Sequence, residues 1–465
     1  MNQFVHGIEN TQFEDRTENN MKTNHSTLDP VLDLFGKIGS ARQADMSIPF
    51  ERALAVDEDK AVRTLLWARD IRGGAGERNT TRKILTHLEQ FHLGLLLKLI
   101  PKIPEYGRFD DLQIFTKPEA VAAANATFSV ALEDNNGLAA KWAKRKGAVA
   151  ESLRKYMGLS PKQYRKLIVG LSDTVEQKMC AKQWEKIDFS KLPSIASARY
   201  MTAFHRNAKE AYEAYKAKLV KGEVKINASA LFPYDLIRSL RSSNNNDAII
   251  QAQWDALPNY VGDRNILPIV DVSGSMDISV AGNITALDVA VSLGLYLSDK
   301  NSGVFKDVTV TFSDVPQIDK LRGSLRSKTN QLQRQDWKMS TNLHAAFDRI
   351  LEVAVKNDAP AKDMPEFIII LSDMEFNCCN HYDDSAIQMI RRKYEQAGYE
   401  SPKVIFWNLN ASRSTGNAPV RFDERGTRLV SGFSPAIMTS ILSGNTSTPV
   451  DMMLETIMKD RYNWQ

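Results

Sequence analysis

The chain has 465 residues, 43% hydrophobic and 25% charged, close to globular averages; this excludes a mainly disordered or collagen-like chain and implies two or three domains. No run approaches the ~18 uninterrupted apolar residues of a membrane span, the strongest, Leu93 to Ile100, being short and interrupted by Lys98, and three cysteines exclude a disulfide framework. The net charge of +4 hides a division near residue 265, with 39 Lys+Arg against 32 Asp+Glu before it and 21 against 24 after it.

The opening segment, MNQFVHGIENTQFEDRTENN, is polar and acidic and lacks the basic-then-apolar order of a signal peptide. Residues 1–26 are expected to be flexible and the protein cytoplasmic (in the host cytoplasm if the chain is viral). From Asp29 to about Arg241 apolar residues recur at three and four, as in Ala61, Leu65, Ala68 and Ile71, or Leu153, Met157, Tyr164, Leu167 and Leu171. That period predicts amphipathic helices. Gly73-Gly74 stops one helix with residues that tolerate left-handed dihedrals, and Ser160-Pro161 opens another. Successive helix hairpins are expected over 27–258.

Within this part, Arg69, Arg72 and Arg78 surround the glycine turn, and the next helix begins near Glu77. A helix start plus guanidinium groups can hold a phosphate. Asp70, Glu77, Glu105, Asp110 and Asp111 are equally near in sequence, and Arg–carboxylate pairs tying adjacent hairpins explain the motif without a ligand. That structural role is the favoured one. From Lys141 to Arg241 the chain carries 22 basic and 9 acidic residues. Clustered Lys/Arg gain affinity for nucleic acid by displacing its counterions. Candidates are Lys141, Lys144, Arg145 and Lys146 on a basic helix, then Arg165, Lys166, His205 and Arg206. Solvated helix faces account for such charge equally well. Interleaved Trp142, Tyr156, Tyr164, Trp184, Tyr200, Phe204, Tyr212 and Tyr215 are candidates for base stacking or, at helical spacing, for core.

After Ser242 to Asn246, read as a loop, and Leu257 to Tyr260, a lead-in, the pattern changes. Apolar runs Ile266 to Val270, Val308 to Phe312, Phe367 to Leu371 and Val404 to Trp407 alternate with helix-period segments, Leu287 to Leu297, Leu343 to Val355 and about Ser385 to Ala397. Continuous apolar strands buried on both faces belong to a mostly parallel, doubly wound sheet with helices on each side, here over 259–465. Ligands in that architecture sit at the carboxyl ends of the strands.

The polar residues gather at that edge. The first strand runs into Asp271-Val272-Ser273-Gly274-Ser275, alternation directs Asp271, Ser273 and Ser275 into one crevice, and Gly274 permits a tight turn. The third ends in Leu371-Ser372-Asp373, and Ser340-Thr341-Asn342 precedes a helix between them. Two carboxylates and three hydroxyls make a hard, all-oxygen cation site suited to Mg²⁺. Helix capping and turn closure by Ser273, Ser275 and Thr341 are the plainer alternative. Asp271 as a phosphoryl-transfer nucleophile is weaker, because the haloacid-dehalogenase pattern has an Asp where Ser273 stands, and no Gly-x-x-x-x-Gly-Lys-Ser/Thr loop is present. Cys378-Cys379 with His381 lacks the second spaced pair of a zinc site.

Asp-x-Ser-x-Ser after a first strand, a Thr loop, and Asp after a later strand together resemble the metal-ion-dependent adhesion site of von Willebrand factor A domains. The resemblance implies that Asp271, Ser273, Ser275 and Thr341 lie near a metal, Mg²⁺ or another divalent cation such as Mn²⁺ or Ca²⁺, with Asp373 coordinating directly or through water. It also implies an open coordination position that takes an acidic group from a partner.

The helical part carries Leu66-Trp67-Ala68-Arg69-Asp70-Ile71-Arg72-Gly73-Gly74-Ala75-Gly76-Glu77-Arg78, Ile103-Pro104-Glu105-Tyr106-Gly107-Arg108-Phe109-Asp110-Asp111-Leu112 and Leu159-Ser160-Pro161-Lys162-Gln163-Tyr164-Arg165. With Ser372-Asp373-Met374-Glu375-Phe376 these resemble the DUF2828 family across most of the chain beyond Thr27. Helical repeats followed by an A domain are similar in layout to the Ro (TROVE) RNA-binding proteins. The resemblance implies a HEAT-like all-α domain that holds structured, noncoding or single-stranded RNA, and no catalysis. A scaffold that captures an acidic side chain of a protein partner through the metal, without RNA, is the alternative. No nucleophile–base pair stands out to support an enzyme.

Overall fold

The structure, a computed structural model, describes residues 14–42, 44–192, 194–220, 223–224, 231–241, 247–281, 284–312, 315–334, 342–377, 384–411, 417–442 and 448–465. Its first half is helical because the caps and the apolar spacing agree. Asp29 accepts from the N–H groups of Val31 and Leu32 and Pro30 opens the Pro30–Ile38 helix, which buries Leu34, Phe35 and Ile38. Ser160 and Gln163 close a capping box ahead of the Pro161–Leu171 helix. A smaller bundle has a core of its own, in which Phe189 packs with Phe204 of the Ser194–Asn207 helix and with Tyr212 and Tyr215 of the Lys209–Val220 helix.

The second half is a six-stranded sheet. Its strands are β3 (Ile266–Asp271), β6 (Val308–Phe312), β7 (Ile318–Lys320), β8 (Phe367–Ser372), β9 (Lys403–Asn408) and β10 (Thr427–Ser431). A short hairpin of β4 (Ser279–Ala281) and β5 (Ile284–Thr285) follows β3. The order is β10-β9-β8-β3-β6-β7, parallel throughout except for the antiparallel edge strand β7. Successive residues of β3 face opposite layers: Ile266 and Val270 join one core, Leu267 and Ile269 the other. The Ala286–Lys300 helix covers the first face, and the Leu343–Lys356 and Ala386–Gln396 helices cover the second. The expected helical region followed by a doubly wound α/β region is therefore what the chain builds.

The two regions share one interior. The first core runs from Val31 through Trp67 and Leu153 to Val270, Leu293 and Ile457 without a break. The Pro30–Ile38 helix lies against β10, where Ser431 Oγ accepts from Gly39 N at 3.0 Å and donates to the carbonyl of Phe35 at 2.9 Å. At the other end of the chain, the Arg461 guanidinium holds the Asp70 carboxylate with both Nε and Nη2, the latter at 2.8 Å, and Trp464 Nε1 donates to Asp59 at 2.9 Å.

One expectation is corrected. Residues 1–26 do not all form a flexible segment, because β1 (Glu14–Arg16) and β2 (Lys22–Asn24) pair as a hairpin. Met21 is buried, Thr17 Oγ1 donates to the Phe376 carbonyl at 2.6 Å and Glu18 N to Glu375 Oε2 at 2.6 Å. Polar composition hid the docking because the hairpin is held mainly by hydrogen bonds to the sheet edge. Residues 1–13 lie outside the described residues.

Candidate metal centre and basic groove

Parallel pairing brings the carboxylates together. Val270 lies opposite Leu371 in the β3–β8 ladder, so Asp271 and Asp373 emerge at the same carboxyl edge from adjacent strands. Both are buried, at 0% and 1% exposure. Asp271 Oδ1 accepts from Ser273 N at 2.9 Å and Oδ2 from Ser372 Oγ at 2.6 Å. Ser273 Oγ and Ser275 Oγ stand 3.0 Å apart, and Glu375 N donates to Asp373 Oδ1 at 3.2 Å. Burial first, and then the neighbouring Asp373 charge, push the Asp271 carboxyl up to about 7.

Four of the five predicted metal-site residues thus converge, and Thr341, like Ser340, lies outside the described residues. Two desolvated carboxylates beside each other are unfavourable unless a proton or cation neutralises them. Among the described residues no cluster of three or more His, Cys, Asp or Glu side chains assembles as a metal site. The donors that do converge are carboxylate and hydroxyl oxygens, which fit a hard cation that keeps some of its waters and fit a soft or thiolate-bound metal poorly. Cys378, Cys379 and His381 lie outside the described residues.

Two residues of the site were not singled out from the sequence. Ser372 donates to Asp271 and accepts from Met374 N at 3.1 Å, orienting the carboxylate and closing the turn. Glu375 lies two residues past Asp373, and burial and the Asp373 charge raise its carboxyl above the usual range. It takes Glu18 N and, at 2.9 Å, Asn417 Nδ2, and so ties the hairpin to the edge.

The predicted basic residues fall into three places. Arg69 is buried on Asp111, with Nη2 at 2.7 Å, and Arg72 Nη1 donates to the Glu105 carbonyl at 3.0 Å. Glu77 Oε1 itself caps the Asn79–Phe91 helix by accepting from Asn79 and Thr80 N–H groups at 2.9 and 3.0 Å. Arg78 is half-buried, with Arg82 and Arg108, which pair with Asp110 at 2.9 and 2.6 Å, beside it. Arg69, Arg82 and Arg108 thus meet Asp110 and Asp111 around this turn, and its helix start is already capped. His205 sits on the separate small bundle, 3.1 Å from Glu213, with Arg206 exposed next to it.

The third group is different. The Gly137–Trp142 helix stops after Lys141 and Trp142, so Lys144, Arg145 and Lys146 stand on a loop rather than on the expected helix. The helix ends where Ala143 turns extended, and Gly147, at φ +88°, a conformation that other residues resist, leads the loop into the Ala148–Tyr156 helix. Lys144, Arg145, Lys146, Arg165 and Lys166 are all exposed, and among the described residues none has a carboxylate partner. Arg145, Lys146, Arg154 and Arg165 line a groove of about 730 Å³ between the Ala148–Tyr156 and Pro161–Leu171 helices. Tyr164 forms part of its wall and donates its hydroxyl to the Lys144 carbonyl at 2.9 Å, which anchors the loop. Of the interleaved aromatics, Tyr164, Phe204, Tyr212 and Tyr215 are core, Tyr156 is exposed, and Trp142 lies under the Arg108 guanidinium, 3.9 Å from its ring centre.

Comparison with known proteins adds to this geometry. Residues 128–264 match the domain of unknown function DUF2828, and residues 265–462 match the domain of unknown function DUF7788. The uncharacterized protein L728 of Acanthamoeba polyphaga mimivirus is 30% identical over 503 residues, which cover 95% of this chain and 86% of that protein. The crystal structure of the Deinococcus radiodurans Ro (RSR) protein aligns with a TM-score of 0.50 at 12% identity, over 93% of this chain and 100% of that one. At that identity the likeness is one of fold.

Proposed function

The chain belongs to the DUF2828 family and is a relative of the mimivirus protein over nearly its whole length, and on that footing we propose that it is a non-catalytic, cytoplasmic RNA-binding protein. Structured or single-stranded RNA lies along the groove lined by Arg145, Lys146 and Arg165 in this reading. The observation that carries it is a run of exposed cations beside a groove that, among the described residues, have no carboxylate partner, in a chain whose other arginine motif has Arg69 buried on Asp111 and Arg72 on a backbone carbonyl. Counterion release from phosphates supplies the affinity. The Ro-like fold supports the same reading.

Asp271, Ser273, Ser275, Thr341 and Asp373 would hold Mg²⁺, or Mn²⁺ or Ca²⁺ in its place. The bound cation supplies a point of attachment for a carboxylate of a further protein, which makes the site adhesive rather than catalytic. The groove is lined by residues 145–169, whereas the metal residues stand at the sheet edge, so the two functions are separable by mutation.

An electrophoretic shift with structured RNA tests the proposal. The wild-type chain should retard the RNA, Lys144→Glu with Arg145→Glu and Lys146→Glu should weaken binding at least tenfold, and Asp271→Ala should leave it unchanged. Absence of any shift would leave the protein-scaffold reading, supported by the carboxylate pair alone. Equal loss from both sets of changes would contradict the separation of groove and metal site.

A further inference from the structure

A second hollow opens next to the groove. It lies between the Pro118–Glu133 and Ala148–Tyr156 helices and measures about 200 Å³. Leu112, Phe115, Phe128 and Leu153 form its buried floor, and Ala148 and Val149 its exposed lip. Ala148 also lines the basic groove, so one residue forms the rim between a cationic channel and an apolar slot. A cavity of ~150 Å³ takes a benzene ring, and whole drug-sized ligands need roughly 300–1,000 Å³. The slot is therefore the size of one aromatic group.

Its polar content narrows the occupant. Gln113 lines the slot, and its Nε2 donates to the Trp142 carbonyl at 3.1 Å, which fixes the amide so that Oε1 is the remaining acceptor. That oxygen is buried and, among the described residues, has no hydrogen-bond partner. Asn125 Nδ2 is already engaged with Ser152 Oγ at 2.9 Å. A hydrocarbon side chain would fill the space and leave the acceptor unsatisfied, at a cost. A planar ring carrying N–H donors would fill the space and satisfy the acceptor together, and the cations beyond Ala148 match a phosphate backbone attached to it.

We propose that this slot receives one unstacked nucleobase of the RNA strand whose phosphates run along the basic groove, with Gln113 accepting a hydrogen bond from the base. The inference rests on the RNA-binding reading above and adds to it a site that recognises the base. Base insertion beside a cationic track is a sequence-tolerant way to hold a single strand.

The test compares a short single-stranded oligoadenylate with an oligomer of the same length built from abasic ribose, by fluorescence anisotropy with the full-length chain. The wild type should prefer the oligoadenylate by about fivefold or more. Val149→Trp closes the slot from a lip position that is 41% exposed, and Val121→Trp closes it from the Pro118–Glu133 helix on the other side. Both should reduce the preference to about one while abasic binding and the melting temperature stay unchanged. Retention of the preference in both variants, or no preference in the wild type, overturns the base slot but leaves the groove standing. Failure of both oligomers to bind at low salt overturns the slot and the RNA reading together. An acidic peptide with a single Phe, if bound by the wild type and lost in Val149→Trp while oligoadenylate binding is unaffected, assigns the slot to a protein partner and overturns the proposal.

Discussion

Asp271 and Asp373 are two carboxylates taken out of water side by side, and the metal-free protein carries the cost of their repulsion. Asp271→Asn removes that repulsion and a cation donor in one step. Thermal melting should therefore show the metal-free variant at least as stable as the wild type, while the rise in stability with added Mg²⁺, about 2.7 kcal/mol at a hundredfold excess over Kd, disappears. A Mg²⁺ response that survives in the variant contradicts the site. His344 is a second case at this scale. Both its ring nitrogens are buried and, among the described residues, lack a hydrogen-bond partner, and burial first, then Lys393 and Arg392 against Asp348 and Asp384, lower its pKa from 6.5 to about 4. A depressed folded-state value means that its contribution is intact above pH 6.5 and is lost as the pH falls towards 4, by up to about 3 kcal/mol. His344→Phe should flatten the loss of urea resistance between pH 7 and pH 4.5, and an unchanged pH profile would show the ring to be solvated. Asp271 and Asp373 were readable because they stand at the ends of apolar runs, and Ser273 and Ser275 because they alternate with Asp271. Ser372 and Glu375 were not, since a serine inside a strand and a third acid carry no signal until the neighbouring strand and the hairpin are in place.

The element that supports this edge is the Ala286–Lys300 helix, which lies close against β3. A Cβ on Gly294 would stand 2.4 Å from Val270 Cγ2, on a stiff β-branched residue adjacent to Asp271. Gly294→Ala should cost about 1–3 kcal/mol and weaken the Mg²⁺ response with it; an unchanged melting temperature would mean that the helix can shift without cost. Elements with a plain period were legible, as in the β3, β8 and β9 runs. β10 was missed because Arg428 and Thr427 interrupt its apolar pattern, although both are buried against the rest of the fold. The basic helix expected over Lys141 to Lys146 failed for a similar reason. Charge density was visible in sequence, but the extended Ala143 that ends the helix and the Tyr164 hydroxyl that anchors the exposed loop act through backbone geometry and a contact twenty residues away.

At the scale of the molecule the sequence shows a change of pattern near residue 265, whereas the structure shows one interior crossing it. Contacts between residues nearly four hundred positions apart, such as Arg461 with Asp70, leave no local trace. Asp70 is fully buried and also accepts from the Tyr462 hydroxyl at 3.1 Å, while Arg461 is about one-third exposed. Asp70→Ala should destabilise by about 2 kcal/mol, less than a fully buried pair because solvent reaches Arg461. Calorimetry should show one transition for the wild type, and two independent transitions would contradict a shared core. The same organisation sets the basic groove apart from the metal edge, and the most direct test of that arrangement is the salt dependence of RNA affinity. For the wild type, log K should fall steeply with log salt, by roughly 0.7–0.9 per phosphate contact, and charge reversal at Lys144, Arg145 and Lys146 should reduce the slope by about two to three while Asp271→Ala leaves it unaltered. A wild-type affinity indifferent to salt, or a slope that survives the triple reversal, would contradict the groove as the RNA site.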